Sequence, residues 1–250
     1  MQLVLEQFPG ISLLGAAFEA EGFCVVRGPD VLWGGDIRRF TTPPGQFDGI
    51  IGGPPCQCFS RLAHMVRQNG HEPKFGNLIP EFERSVREGE PTWFLMEEVP
   101  DAPVPSVEGY GVHAFLLNNR QLGEVQNRVR RWSFGYRGEG RILKIETVAL
   151  EPLEFEYAAC GGHGTSIGVG LDKRRKKQCR LYNQGFHNVK SNGSFRELCR
   201  KQGLPADFDL PPFTVAGKCT AVGNGVPMAM GRALARAVKE ATGLSPDDAA

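Results

Sequence analysis

The chain has 250 residues, 41% of them apolar, enough for one sizeable core and a small appendage. A formal net charge of +1 excludes a chain that is strongly acidic or basic as a whole and leaves partners of either sign open. No apolar run is long enough to cross a membrane, and seven scattered cysteines without a secretory signal point to a reducing cytoplasm rather than a disulfide framework.

Leu3-Val4-Leu5 predicts a first strand, which runs through Phe8-Pro9-Gly10-Ile11-Ser12 into a helix over Leu13 to Gly22. Leu14 and Phe18 are one helical turn apart, Ser12 is placed to cap the start, and Gly22 can end it. A strand, a glycine turn and a helix N-terminus together suit an anionic or carboxylate-bearing cofactor. Phe23 to Val26 predicts a second strand. Asp30 beyond its carboxyl end would accept hydrogen bonds from a ribose in a doubly wound sheet. Gly35-Asp36-Ile37 then falls at the end of a possible third strand, but Asp36 is only six residues past Asp30. A crossover between parallel strands needs a dozen or more, so either no helix intervenes or the third strand is vestigial.

The stretch Phe47 to Ile51 predicts a short buried strand that delivers Gly52-Gly53-Pro54-Pro55-Cys56-Gln57-Cys58-Phe59-Ser60. Two glycines permit close backbone approach and two prolines fix φ, so the turn presents a thiol rigidly, as a nucleophile requires. Arg61 to Asn77, with Arg61, His64, Arg67, His71 and Lys74, reads as a polar loop, either simply solvated or able to close over a polyanion. A helix over Pro80 to Arg87 and a buried strand over Trp93 to Met96 follow. Glu97 and Glu98 come next, on opposite faces if extended, so that only one enters a cleft. Gln126 to Gly135 alternates basic and apolar residues. Arg128 and Arg130 would share a face, as a clamp for phosphate and base edge or as an ordinary edge strand.

From 140 to 193 helical periodicity fades and glycines cluster, which predicts a small insert of loops and short strands. Its basic run Lys173-Arg174-Arg175-Lys176-Lys177 suits a nucleic-acid backbone. Cys160, His163, Cys179 and His187 fit no familiar zinc spacing, and no metal is assigned. Helical pattern returns at Phe195 to Gln202 and again at Val226 to Ala241. There Met230, Ala233, Leu234, Ala237 and Val238 form one face that should pack on the sheet and bring the loop Ala221 to Gly225 to the cofactor end. Asp247 to Ala250 reads as a frayed tail.

Gly53-Pro54-Pro55-Cys56-Gln57-Cys58-Phe59-Ser60 resembles the nucleophile motif of the DNA cytosine-5 methyltransferases. Other motifs follow in that family's order. Phe8-Pro9-Gly10 resembles its S-adenosylmethionine motif, Glu97-Glu98-Val99 its Glu-Asn-Val, and Gln126-Asn127-Arg128-Val129-Arg130 its Gln-x-Arg-x-Arg. Arg196-Glu197 with Gln202 to Pro205, and Gly223 to Pro227, resemble its last two. The match covers nearly everything except 140–193, where the family keeps its target-recognition region. The resemblance implies an α/β fold, a Rossmann-like S-adenosylmethionine-dependent methyltransferase sheet with a small, loop-rich target-recognition insert. Residues 1–139 would form the catalytic and cofactor domain, 140–193 the insert, and 194–250 a segment returning to the catalytic domain.

By the same resemblance the protein would be a DNA (cytosine-5-)-methyltransferase acting on a flipped cytosine through a covalent bond from Cys56 to C6. The alternatives are a catalytically inactive DNA-binding relative and an RNA cytosine-5 methyltransferase. Glu97 would contact the ring, and Arg128 and Arg130 would be catalytic cations that favour the thiolate. S-adenosyl-L-methionine would lie against Phe8, Gly10 and Leu13, with Asp30 on its ribose and Asp36 and Ile37 flanking its adenine. Asn224 and Val226 would close that pocket, and Pro55 would sit between cofactor and base. Ser60, Arg61, Gln126 and Lys173 to Lys177 would contact nucleic acid. The partner would be double-stranded DNA, bound by a monomer in a bacterial or phage-infected cytoplasm. Four departures from the family pattern stand out: Gln7 for an apolar residue, Ser12 for glycine, Glu98 for asparagine, and the short interval from Asp30 to Asp36.

Overall fold

The computed structural model describes residues 1–59, 75–138, 140–149, 156–157 and 195–243. Its centre is a six-stranded sheet built from β1 (Leu3–Gln7), β2 (Cys24–Arg27), β3 (Gly49–Gly52), β4 (Trp93–Glu98), β5 (Tyr110–Asn118) and β7 (Val129–Arg137), in the order β2-β1-β3-β4-β7-β5. The first four are parallel, while β7 runs antiparallel to both β4 and β5. A separate parallel pair joins β6 (Gln126–Asn127) to β8 (Glu156–Tyr157).

The central strands are apolar on both faces because both faces are covered. Val4, Ile51 and Leu95 point into one core with Phe18, Trp93, Trp132 and Phe134, beneath α1 (Leu13–Glu19) and α5 (Met228–Ala241). Their chain neighbours Leu5, Ile50 and Phe94 point into the other, beneath Phe82 and Val86 of α2 (Ile79–Gly89). This alternation is the two-residue period of a strand. Burial of these side chains is worth about 1.5–3 kcal/mol each. Helix α5 approaches α1 so closely that a Cβ on Gly231 would lie 2.5 Å from that of Ala17. Two shorter helices, α3 (Phe195–Lys201) and α4 (Val215–Asn224), pack on each other through Leu198, Cys199 and Val222.

The strands and helices expected at 3–5, 13–22, 23–26, 47–51, 80–87, 93–96, 195–202 and 226–241 form within a few residues of those bounds. β5 is absent from the sequence reading, because this half-exposed edge strand mixes His113 and Ala114 into its apolar run. The segment Ala221 to Gly225, expected as a loop, is instead the end of α4. No third parallel strand forms between β2 and β3. Two single-turn 3-10 segments, Val31–Trp33 and Ile37–Arg39, fill the interval. Asp30 and Asp36 cap them by accepting from the backbone N–H groups of Leu32 and Arg38 at 2.7 and 3.1 Å. Ser12 precedes α1 but does not cap it; its φ is 59° and its hydroxyl turns away to Glu6. Gln7 is tolerated in the core because its amide donates to Ser85 Oγ at 2.7 Å. Among the described residues no helix is long and apolar enough to cross a membrane, and no cluster of metal-ligating side chains occurs.

Candidate active site

The carboxyl ends of β1, β3 and β4 converge on the turn after β3. Gly52 is required there, since a Cβ would lie 2.6 Å from the carbonyl oxygen of Gln7. Gly53 lets β4 come close, with its would-be Cβ 3.0 Å from Glu97 Oε2. Pro54 and Pro55 then lead into a 3-10 turn, Cys56–Cys58, that holds Cys56 half-buried. Cys58 points differently and donates its S–H to the Phe75 carbonyl at 3.3 Å. Arg130 on β7 donates from Nε to Glu97 Oε1 at 2.8 Å, with only 20% and 15% of the two side chains exposed. Cys56, Glu97 and Arg130 therefore share one cleft.

Arg128 goes elsewhere. It falls in the break between β6 and β7, so it does not share a strand face with Arg130. Only 3% exposed, it donates to the carbonyls of Gly223 and Gly225 at 3.2 and 3.1 Å, at the end of α4. Gln126, expected on nucleic acid, is buried, with its amide on the Lys201 carbonyl at 2.5 Å. Gln202, which the sequence reading placed in a family-like motif without a role, donates to the carbonyls of Val222 and Gly225 at 2.7 and 2.9 Å. Together these side chains satisfy orphan carbonyls of a helix end. Arg128→Ala strands the Gly223 carbonyl inside the protein, while Gln202 still holds that of Gly225, and is expected to cost about 1–3 kcal/mol. Urea denaturation checks this, and a loss below about 0.5 kcal/mol would contradict the bracing role.

The cofactor side begins at the β1–α1 turn, where Phe8, Gly10 and Ser12 all have left-handed φ of 54°, 55° and 59°. Ordinarily only glycine adopts this at no cost. Cross-links hold the turn in place. Gly10 donates its N–H to Asp30 Oδ2 at 2.8 Å, and its carbonyl accepts from Trp33 Nε1 at 2.7 Å. Ser12 donates to Glu6 Oε2 at 2.5 Å and accepts from Arg27 Nε at 2.9 Å. Glu6 also accepts from the Gly15 N–H at 2.9 Å, so it satisfies a donor at the start of α1 where Ser12 does not. The sequence reading missed Glu6 and Arg27. Gly15 was a signal, since a Cβ there would sit 2.3 Å from Glu6 Oε2.

Beside this turn lies a cavity of about 180 Å³. Phe8, Asp30, Asp36, Ile37 and Pro55 all line it. Gly10 stands behind Asp30, Leu13 packs on Gly225, Val226 is in the core and Asn224 is exposed at the end of α4. Aromatic and aliphatic walls with two carboxylates, Asp30 and Asp36, fit a nucleoside. The volume falls below the roughly 300 Å³ at which whole small-molecule sites begin. Asp36 is bound by Arg38 at 2.8 and 2.9 Å.

Residues 32–103 match the family model of the C-5 cytosine-specific DNA methylases, a span that holds both the Cys56 turn and Glu97. Over that span the chain resembles this family. It is 36% identical over 169 residues to the Type II methyltransferase M.BanI of Aneurinibacillus aneurinilyticus, covering 62% of this chain and 35% of that protein. It is 23% identical over 326 aligned positions to the Type II methyltransferase M.FnuDI of Fusobacterium nucleatum, covering 95% and 94%. The chain thus spans about a third of the first relative and nearly all of the second. In fold it is similar to a variant of Spodoptera frugiperda DNMT2, with a TM-score of 0.62 at 15% identity over 95% of this chain and 99% of that one.

The electrostatics of the cleft depart from the sequence-based expectation. Burial pushes the Cys56 thiol up to about 11, the charges of Glu97 and Glu98 add to this, and Arg130 and Arg128 oppose it without prevailing. The thiol is therefore protonated at neutral pH. Burial, then the charge of Glu97, pushes the Glu98 carboxyl up to about 8. Glu6 is likewise pushed up to about 7, chiefly by burial. Both acids bind a proton more tightly folded than unfolded, so their contribution to stability is full below about pH 4.5. It is lost as pH rises through about 7 and 8. Stability should fall by several kcal/mol, on the order of one per pH unit per group, between pH 5 and 9. Glu98→Gln should flatten the upper part of that fall. Urea midpoints across pH measure it, and a flat wild-type profile would contradict the burial of these charges.

Ser60, Arg61 and Lys173, Arg174, Arg175, Lys176 and Lys177 lie outside the described residues. So do Cys160, His163, Cys179 and His187, nearly all of the 61–77 loop, most of the 140–193 insert, and the tail.

Proposed function

We propose that the protein is a DNA (cytosine-5-)-methyltransferase that uses S-adenosylmethionine. One observation carries this reading: Pro55 lines the nucleoside-sized cavity and the next residue is Cys56, so donor pocket and nucleophile share a wall. Asp30 would take the ribose hydroxyls, since each of its oxygens keeps a lone pair after accepting one backbone N–H. S-adenosylmethionine supplies an electrophilic methyl group. The chain's own residues do the rest. Cys56 would release its proton to solvent as the base enters, and the thiolate would add to C6 of cytosine, shifting the C5=C6 electron pair toward C5 and the N3 side of the ring. Glu97, with Arg130 behind it, holds the ring at N3 and the exocyclic amine while C5 becomes nucleophilic. C5 would take the methyl group, with the demethylated thioether of the donor as leaving group; loss of the C5 proton to solvent and rupture of the C6–sulfur bond would restore the ring and a thiolate that takes back a proton.

A base inside a duplex cannot reach a half-buried thiol, so the substrate would be double-stranded DNA with the target cytosine flipped out. A monomer suffices for this site. The basic run Lys173 to Lys177 would hold phosphates. Incubation with labelled cofactor and duplex DNA should yield 5-methylcytosine. DNA carrying fluorine at C5 cannot lose a proton there and should trap an adduct on Cys56. Bisulfite sequencing of DNA from expressing cells would report activity and target together. DNA binding without any transfer would overturn the reading in favour of an inactive relative, which the Asp36–Arg38 pairing and Glu98 favour. A tRNA arm separates an RNA methyltransferase.

A further inference from the structure

Glu98 takes no part in the chemistry above, yet it is only 1% exposed at the end of β4. Its Oε2 accepts from the N–H of its own neighbour Val99 at 3.0 Å, and among the described residues Oε1 has no partner. Such a group is costly to bury and calls for an explanation. Its position supplies one. β3 and β4 run parallel with Gly52 opposite Met96. Continuing that register sets Gly53 beside Glu97, as the 3.0 Å approach of a Gly53 Cβ to Glu97 Oε2 bears out. It sets buried Pro54 beside Glu98. The carboxyl group therefore flanks the turn that carries Cys56.

The charged and titratable groups around it are Glu97 on its own strand, Arg130 and Arg131 on β7, and Cys56 on the turn. Arg130 is engaged by Glu97, and Arg131 donates to the Ala102 carbonyl. Neither arginine forms an ion pair with Glu98. Protonated, Glu98 adds no charge to the cleft. Ionised, it becomes a second negative charge beside a buried thiol, where low dielectric strengthens repulsion.

We propose that Glu98 is a positioning residue whose protonation state sets how readily Cys56 ionises, so that the nucleophile is suppressed once Glu98 loses its proton. This rests on reading Cys56 as the nucleophile of the proposed reaction. Burial and Glu97 bring the Glu98 transition to about 8, within reach of experiment.

The test needs neither DNA nor cofactor. The full chain is treated with iodoacetamide from pH 6 to 9.5, and alkylation is read site by site by mass spectrometry, with exposed Cys24 as internal reference. An isolated thiol reacts tenfold faster per pH unit below its own transition. In the wild type Cys56 should depart from this, with a shallower rise between pH 7 and 9. Glu98→Gln should restore the tenfold rise. It should react about tenfold faster than wild type at pH 9 and within about twofold at pH 6. Glu98→Asn should behave alike, and if neither variant folds, the wild-type profile decides by itself. A tenfold rise per unit throughout in the wild type, or parallel profiles in wild type and variants, would overturn the proposal. A bent profile in a protein that transfers no methyl group would sink the proposed activity and leave this inference standing.

Discussion

Cys56→Ser should lower methyl transfer by about a thousandfold or more, while Cys58→Ser should stay within about threefold of wild type. A hydroxyl in place of the thiol is far less acidic and a poorer nucleophile, and the covalent step has no other candidate at that place on the turn. The two cysteines are two residues apart in one 3-10 turn, so both substitutions perturb the backbone alike. They differ in surroundings. Cys56 lies in the cleft with Glu97 and Arg130, whereas Cys58 donates to the Phe75 carbonyl at 3.3 Å, a bond that a serine hydroxyl can also make. Initial rates with labelled cofactor, alongside DNA-binding measurements to confirm folding, make the comparison. Equal loss in the two variants would undo the assignment of the nucleophile.

Gly135→Ala should destabilise the protein by about 3 kcal/mol or more, a large part of the roughly 5–15 kcal/mol that holds a domain together. Gly135 pairs with Phe94 across β7 and β4. An added Cβ would lie 2.1 and 2.3 Å from two atoms of that ring. The ring cannot retreat easily: it is fully buried, edge-on to Phe82 at 5.9 Å and tilted on Tyr110 at 5.5 Å. Shrinking it makes room, so Phe94→Leu should rescue part of the loss. In a double-mutant cycle the pair should couple by more than about 1 kcal/mol. Guanidinium midpoints for the four proteins give the answer, and simple additivity would show that the contact is not the cause.

The position of Glu98 matters for both expectations, because it links stability and reactivity through one proton. Below the Glu98 transition the folded acid is neutral, and stability falls from about pH 4.5 upward because only the unfolded chain has lost that proton. Above it that loss levels off, and the charge then present opposes ionisation of Cys56. The lower exposure of Glu98 relative to Glu97 is what separates their roles, although they are adjacent in the chain.

Much of this was legible in the amino-acid sequence, for local reasons. Apolar runs such as Phe47 to Ile51 and Trp93 to Met96 mark buried strands, because a strand covered on both faces has no polar alternation. The glycines and prolines around Cys56 restrict the backbone whatever lies nearby. The short interval from Asp30 to Asp36 already left no room for a crossover, and two aspartate-capped turns stand there instead of a third strand. What only the tertiary structure decided are relations between distant segments. Arg128 and Arg130 are two residues apart, yet one braces the end of α4 and the other pairs with Glu97, because the strand breaks between them. Gln126 belongs to the interior because α3 packs over it. Ser12 turns to Glu6 rather than to its helix, because a left-handed φ aims its hydroxyl at β1. The ionisation of Cys56 depends on burial and on charges from β4 and β7, and neither can be read from its own turn. Local sequence sets where a strand or turn can form; the direction of a buried polar side chain is set by whichever partner the fold brings within hydrogen-bond reach.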